Sequence, residues 1–405
     1  MKRNLLFYIM ICLALVANGC AVILKETQPI TSEKRTDELL DIHSAIAPQI
    51  PFDRDTAKII LFSDLHRGMG PKDVFKNNKE LFRQILSYYY DNGFTLVLIG
   101  DAEEGWGFQR DNIPLILDAH AAEFAFEKKF QAANRYYRIY GNHDDFFRGQ
   151  LINFGDQSLQ KVYPAIIFSD QTNRFNIFIT HGCQGQGLHD AGDELASWGV
   201  YAKYNWWLEI FPKKLKSEED LYKQTGLIRK DLERHEEMVY QWALNQKDAS
   251  GKKKYNILVA GHTHIPVFNS IRDKTLYDVI KQDIINGKYI FFNDIFEQEP
   301  GQVSQQADRN LSAKDAGDSF ELPASLQEKM IQTLDAEILA EEPAKRSADA
   351  SARDPFYFNT GCGFHSKITC IEISGGKIYL KLLGFDESGK IDFASFVDAA
   401  ELKNY

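Results

Sequence analysis

The chain has no Cys-x-x-Cys pair and only five cysteines in 405 residues. This excludes a thiolate zinc knuckle and a disulfide-dense scaffold. Basic charge is not in excess: 47 Lys and Arg stand against 57 Asp and Glu, for a formal net charge of −10. Nucleic-acid affinity comes largely from phosphate neutralisation, so no nucleic-acid partner is expected. No internal repeat is visible, which excludes a solenoid. The longest apolar run, Leu5 to Ala17, falls short of the ~20 residues that span a bilayer comfortably. What remains is ordinary for a large globular protein: 44% apolar and 26% charged residues, in a chain long enough to bury a substantial core.

The N-terminus carries an address. "MKRNLLFYIMICLALVANGC" places Lys2 and Arg3 first, an apolar middle next and small residues before Cys20. This is the three-part pattern of a secretory signal. Its end resembles a bacterial lipobox, in which the cysteine becomes the lipidated first residue. Residues 1–20 therefore read as a lipoprotein-type signal peptide, 21–55 as a polar tether and 56–400 as the folded domain. The expected location is the bacterial cell envelope, with the membrane as a partner through lipid on Cys20. An uncleaved anchor and plain secretion are the alternatives. In an oxidising compartment Cys183, Cys362 and Cys370 permit one disulfide.

From residue 57, short β-branched runs alternate with amphipathic stretches of helical spacing, which predicts a layered α/β core. "AKIILFSDLH", "FTLVLIGDAEEGW", "YYRIYGNHDD", "RFNIFITHG" and "YNILVAGHTH" each run from apolar strand into polar loop, with helices expected near 73–92 and over 112–133. Residues 186–250 read as a helical insertion, a cap on the core or a lid, and hold the aromatic run "WGVYAKYNWWLEIFPKKLK". Residues 297–354 carry 13 acidic and 6 basic residues with few aromatics, the composition of a disordered insertion, with one short helix near 324–340. Closing strands follow, with a hairpin turn at Gly375-Gly376.

Five polar clusters follow five apolar strands: Asp64 and His66, Asp101, Asn142 and His143, His181, and His262 with His264. Sites in open α/β sheets form outside the carboxyl ends of strands, so these clusters converge on one rim. Singly, each has an ordinary structural reading: an Asx turn, a loop carboxylate, a helix cap, a core histidine. Jointly, four imidazoles, two carboxylates and one amide form a mixed nitrogen and oxygen ligand set. Such a set favours Mn, Fe or Zn over Ca or Mg. Seven ligands exceed the needs of one ion and suit two divalent metal ions about 3.5–4 Å apart, with Asp101 as the natural bridge.

The ordered set D-x-H, G-D, G-N-H-D, H-G and G-H-x-H resembles the calcineurin-like metallophosphoesterases over roughly residues 57–385. The resemblance implies a four-layer α/β/β/α sandwich holding a dinuclear metal centre, in which an activated water attacks phosphorus. Asp64, His66, Asp101 and His264 would hold one ion, and Asp101, Asn142, His181 and His262 the other, with Mn the leading metal. His143 matches the family's catalytic histidine. Asp144 is expected to orient its ring, and Arg67 to clamp phosphate or to lie solvated at the surface. Glu104 reads as a supporting carboxylate or a solvated one. "AEEGW" after Asp101 departs from the "DRG" of the protein Ser/Thr phosphatases, and the long insertion before "GHTH" resembles the UDP-diacylglucosamine hydrolase branch. The expected substrate is a small-molecule or lipid-linked phosphate monoester, diester or pyrophosphate. The rival reading is a surface lipoprotein that keeps the fold as a non-catalytic binding module.

Overall fold

In the computed structural model of the chain, the described residues are 32–70, 73–105, 113–147, 151–153, 158–170, 174–186, 218–272, 275–285, 328, 331–332 and 356–405. The expected signal peptide, the aromatic run of the 186–250 insertion and almost all of the 297–354 insertion lie outside them.

The chain begins with helix α1 (Ser32–Ile46) and strand β1 (Gln49–Phe52). Strand and helix then alternate through β2 (Lys58–Phe62), α2 (Lys79–Asp91), β3 (Thr95–Ile99), α3 (Ile113–Ala119), α4 (Ala121–Ala132) and β4 (Tyr136–Ile139). Next come β5 (Leu151–Asn153), β6 (Ser158–Tyr163), β7 (Ala165–Asp170), β8 (Asn176–Thr180), α5 (Glu218–Asn245) and β9 (Ile257–Ala260). The last elements are β10 (Val267–Phe268), β11 (Ile271–Arg272), α6 (Thr275–Ile285), β12 (Phe356–Asn359), β13 (Ile368–Ser374), β14 (Lys377–Leu383) and β15 (Asp398–Glu401).

The strands form two sheets, ordered β15-β14-β13-β2-β3-β4-β6-β5 and β1-β7-β8-β9-β12-β10-β11. β2, β3 and β4 are parallel neighbours in the first, and β8 and β9 in the second. Successive side chains along a strand point to opposite faces, and here both faces are apolar. Ile59 and Leu61, Val97 and Ile99, Ile177 and Ile179, and Ile257 and Val259 meet in one cluster between the sheets. The alternate residues Ile60, Phe62, Leu96 and Leu98 pack with Phe82 and Ile85 of α2 and Phe130 of α4. On the other side, Phe178 and Leu258 pack with Leu40 of α1 and with Val239, Trp242 and Ala243 of α5. Helices on both outer faces of a two-sheet core give the four-layer α/β/β/α sandwich expected from the motifs. The near-continuous apolar runs in β2, β3 and β9 reflect strands buried on both faces.

Two local expectations are corrected. Residues 32–55 are not a free tether: α1 buries Leu40, and β1 pairs in parallel with β7 and buries Ile50 and Phe52 between the sheets. Polar residues dominate α1, but Thr36, Leu40, His43 and Ser44 recur at helical spacing and are all buried. The helix over 112–133 is broken at His120, whose buried ring donates from Nε2 to the Gly68 carbonyl at 3.0 Å and faces Asp73 Oδ2 at 3.2 Å. The turn at Gly375-Gly376 is present: Ser374 pairs with Lys377, and both glycines take positive φ, +56° and +75°. Such a two-residue hairpin turn requires that conformation. Because β1 and α1 belong to the core, Phe52→Ala and Leu40→Ala should each cost about 2–5 kcal/mol of stability, read as a lowered urea midpoint. An unchanged midpoint would return this segment to the tether.

Candidate metal centre

The carboxyl ends of β2, β3 and β4 lie side by side, and their loops stay paired beyond the strands. The Asp64 N–H donates to Gly100 O at 3.2 Å, that of His66 to Asp101 O at 2.9 Å and that of Arg67 to Ala102 O at 3.0 Å. From the second sheet, the Gly261 N–H donates to His181 O at 2.9 Å, joining the β8 and β9 loops. The two rims are then tied together. Asp64 Oδ2 accepts the His262 N–H at 2.9 Å, and His181 Nδ1 donates to Ile99 O at 2.8 Å.

Five of the expected ligands sit in left-handed backbone: Asp64 (φ 52°), His66 (47°), Asp101 (49°), His262 (72°) and His264 (59°). Each such residue costs on the order of 1 kcal/mol or more and persists only where its surroundings fix it. Two glycines are needed beside them. A Cβ on Gly141 would strike Asp101 Oδ1, and one on Gly261 would strike the Asp64 carboxylate.

The side chains gather into metal-competent groups. Asp64, His66 and His264 form one, Asp101, His181 and His262 a second, and His66, Glu104 and His143 a third, all buried. In the first, His66 Nε2 lies 3.1 Å from His264 Nε2, and Asp64 Oδ1 lies 3.3 Å from His264 Nε2. In the second, His181 Nε2 stands 3.0 Å from Asp101 Oδ2. Asp64 Oδ1 and His181 Nε2 are buried, yet neither makes a hydrogen bond despite these short separations. One buried atom left without a hydrogen bond in each group, crowded by other ligand atoms, fits a shared cation. Asn142, also expected as a ligand, is buried on the β4 loop between Gly141 and His143.

A second contact fixes each of four rings. His66 Nδ1 donates to Glu104 Oε2 at 3.0 Å, and His181 Nδ1 to Ile99 O. His143 Nδ1 faces both Glu104 oxygens at 3.0 and 2.9 Å, and His262 Nε2 meets Gln186 Oε1. Pinning one nitrogen as a donor sets the tautomer and leaves the other as a ligand or proton carrier.

Electrostatics agree with that reading. Burial pushes the Asp101 carboxyl up, but His181 and His143 more than offset it and hold it well below the usual range. Asp64 is likewise lowered by His264 and His181 against the effect of burial. Burial disfavours charge on His181, yet Asp101 raises it to about 9. Glu104, which burial would raise, is brought down to about 2 by His143 and His66.

Two expected roles are corrected. Arg67 is no phosphate clamp and no surface arginine. It is fully buried, with Nη1 on Glu127 Oε1 at 2.5 Å, Nη2 on Glu103 Oε1 at 2.6 Å and Nε on Ala102 O at 3.2 Å. Its guanidinium also stacks over Phe124, 4.3 Å from the ring centre. Asp144 does not orient the His143 ring. It accepts the Gly141 N–H at 2.6 Å and the Ala102 N–H at 3.1 Å, and it pairs with Arg138 at 3.0 Å. The orienting carboxylate is Glu104. Arg138, Glu103 and Glu127 were not singled out from sequence. The available signal was an arginine inside the apolar strand "YYRIYG", which needs a buried counter-charge. Cys183, Cys362 and Cys370 are buried, and the permitted disulfide is absent among the described residues.

Proton competition follows from the His181 shift. Below pH about 9 the metal-free ring carries a proton that a ligated metal must displace. Metal affinity should therefore rise by about tenfold per pH unit up to that point and then level off. Isothermal titration of metal-stripped protein at several pH values checks this, and a flat profile contradicts it.

The sequence profile of the calcineurin-like phosphoesterases matches residues 57–266. A comparison with curated proteins finds no match. Among solved structures, a dimetal phosphatase from Danio rerio is similar at 15% identity, over 52% of this chain and 83% of that chain, with a TM-score of 0.28. The matched segment spans half of this chain and contains every residue of the two metal-competent groups, from Asp64 to His264. The chain belongs to the calcineurin-like phosphoesterase family and is a metal-dependent phosphoester hydrolase.

Proposed function

We propose that the protein is a dinuclear enzyme cleaving small phosphate monoesters, diesters or pyrophosphates at the outer face of a membrane. One ion would be held by Asp64, His66, His264 and Asp101, the other by Asp101, Asn142, His181 and His262. The observation that carries this is the pair of buried ligand groups in which His66, His181 and His262 each already have one ring nitrogen engaged. The mixed nitrogen and oxygen donors favour Mn, with Fe and Zn as the other transition metals suited to such a set. When bound, two such ions act as Lewis acids toward phosphoryl oxygens and acidify water.

The chain's own residues handle the proton. Glu104 stays ionised through the neutral range and accepts from His143 Nδ1. That contact leaves His143 Nε2 to deliver a proton to the leaving oxygen. The His143 N–H donates to Asp101 Oδ1 at 2.8 Å, so the proton donor is registered against a ligand of both ions. His143 also stands edge-on to His66, with ring centres 4.6 Å apart. Asp144 holds the β3 and β4 loops in register from beneath.

Asp101→Asn should lose metal stoichiometry and turnover together. His143→Ala should keep both metals while turnover falls by about 10²–10⁴-fold. Elemental analysis beside p-nitrophenyl phosphate and bis-p-nitrophenyl phosphate hydrolysis reads both effects. Wild-type turnover in both variants would remove the assignment.

Export and lipidation rest on the signal pattern ending at Cys20. Cys20→Ser should move the protein from the membrane to the soluble fraction of a bacterial host without changing its specific activity. Retention in the membrane argues for an uncleaved anchor instead.

A further inference from the structure

Beneath the metal groups lies a set of buried charge that the reaction does not use. It comprises Arg67, Arg138, Glu103, Glu127 and Asp144, each with no exposed surface. Arg67 bridges Glu127 at 2.5 Å and Glu103 at 2.6 Å. Arg138 Nη2 contacts Glu103 directly and Asp144 at 3.0 Å, and Nη1 lies 3.8 Å from Glu127 Oε2. Tyr136 closes the edge by donating to Glu127 Oε2 at 2.6 Å.

Three members of this set, Arg67, Glu103 and Asp144, sit on loops that carry metal ligands. Arg67 follows His66 directly, and its Nε holds the Ala102 carbonyl. Glu103 lies two residues beyond Asp101, and Arg67 and Glu103 continue the β2–β3 pairing as a parallel bridge. Asp144 gathers the Ala102 and Gly141 N–H groups. Only Glu127 stands on a helix, α4, and it belongs to none of the metal-competent groups. Buried ion pairs are weak devices for stability, because desolvation offsets most of their attraction. They are strong devices for geometry, because any displacement leaves a charge unpaired in a medium of low dielectric. Two guanidinium and three carboxylate groups also leave the set net negative below a cation site.

We infer that Glu127 is a positioning residue for the metal centre. By fixing Arg67 from helix α4, it sets the spacing between the loop bearing Asp64 and His66 and the loop bearing Asp101. The inference rests on the metal assignment above, and the experiment separates the two.

Full-length protein is stripped of metal and titrated with Mn²⁺ well below its unfolding temperature. The dissociation constant is read by calorimetry, and the fraction of exchange-coupled Mn pairs by electron paramagnetic resonance. Glu127→Gln keeps volume and an acceptor for Tyr136 but removes the charge. It should weaken Mn²⁺ binding by about 10–100-fold, as loss of outer-shell partners does, and lower the coupled fraction. Phe130→Leu, on the same helix but in the apolar cluster, should lower thermal stability and leave both readouts at wild-type values. If Glu127→Gln does not fold, Tyr136→Phe decides, with Mn²⁺ binding weakened and the coupled fraction lowered, because the hydrogen bond that holds Glu127 Oε2 is lost. Wild-type affinity and coupling in a folded Glu127→Gln, or in Tyr136→Phe where that variant decides, overturns the positioning role alone. Failure of the wild-type protein to bind Mn²⁺, Fe²⁺ or Zn²⁺ overturns the metal assignment itself.

Discussion

One residue, Asp64, joins the loops at the carboxyl ends of both sheets. Its N–H donates to Gly100 O, its carbonyl accepts from Gly363 and its Oδ2 accepts from His262. Loops from β2, β3, β9 and β12 are thereby fixed around a single residue, whose remaining carboxylate oxygen faces the ligand group. A second stitch runs nearby, where the Ser63 and Thr360 hydroxyls meet at 2.5 Å and Ser63 Oγ donates to Gly361 O at 3.0 Å. Everything the site does depends on the two sheets ending at the same rim. Without these cross-sheet bonds the ligand groups would be halves without partners.

Holding so many histidines and acids out of water is costly, and the protein offsets the cost by mutual neutralisation. Imidazoles beside Asp64, Asp101 and Glu104 keep those carboxylates charged despite burial, and Asp101 does the same for the His181 ring. The same logic governs backbone strain. Regular strand geometry would keep Asp64 with His66, and His262 with His264, on one face; left-handed backbone at these four and at Asp101 turns the side chains into the rim, with His264 in one ligand group and His262 in the other. The ladder bonds that continue past β2 and β3 hold those strained residues in place.

The corrections to Arg67 and Asp144 share a cause. Both belong to short motif runs beside ligands, and proximity in sequence suggested proximity to substrate. The chain uses them beneath the site instead, with their polar atoms turned away from the metal groups. Glu104 moves the other way. A loop glutamate that could have been solvated proves to be buried between two rings, His66 and His143.

By itself, the sequence determined that strands alternate with helices in a layered core and that five strands end in ligand-type residues. Those features are local: apolar periodicity, turn glycines and ordered motifs are written within a few residues of one another. It also marked every member of the two ligand groups, because metal chemistry restricts the residue types allowed. Only the tertiary structure decided which nitrogen of each imidazole stays available, since Ile99 O, Glu104 and Gln186 reach the rings from elsewhere in the chain. The same holds for the docking of α1 and β1 into the core and for the pairing of Arg67 with Glu127, 60 positions away. Burial and charge pairing are properties of the assembled layers, and no local pattern encodes them.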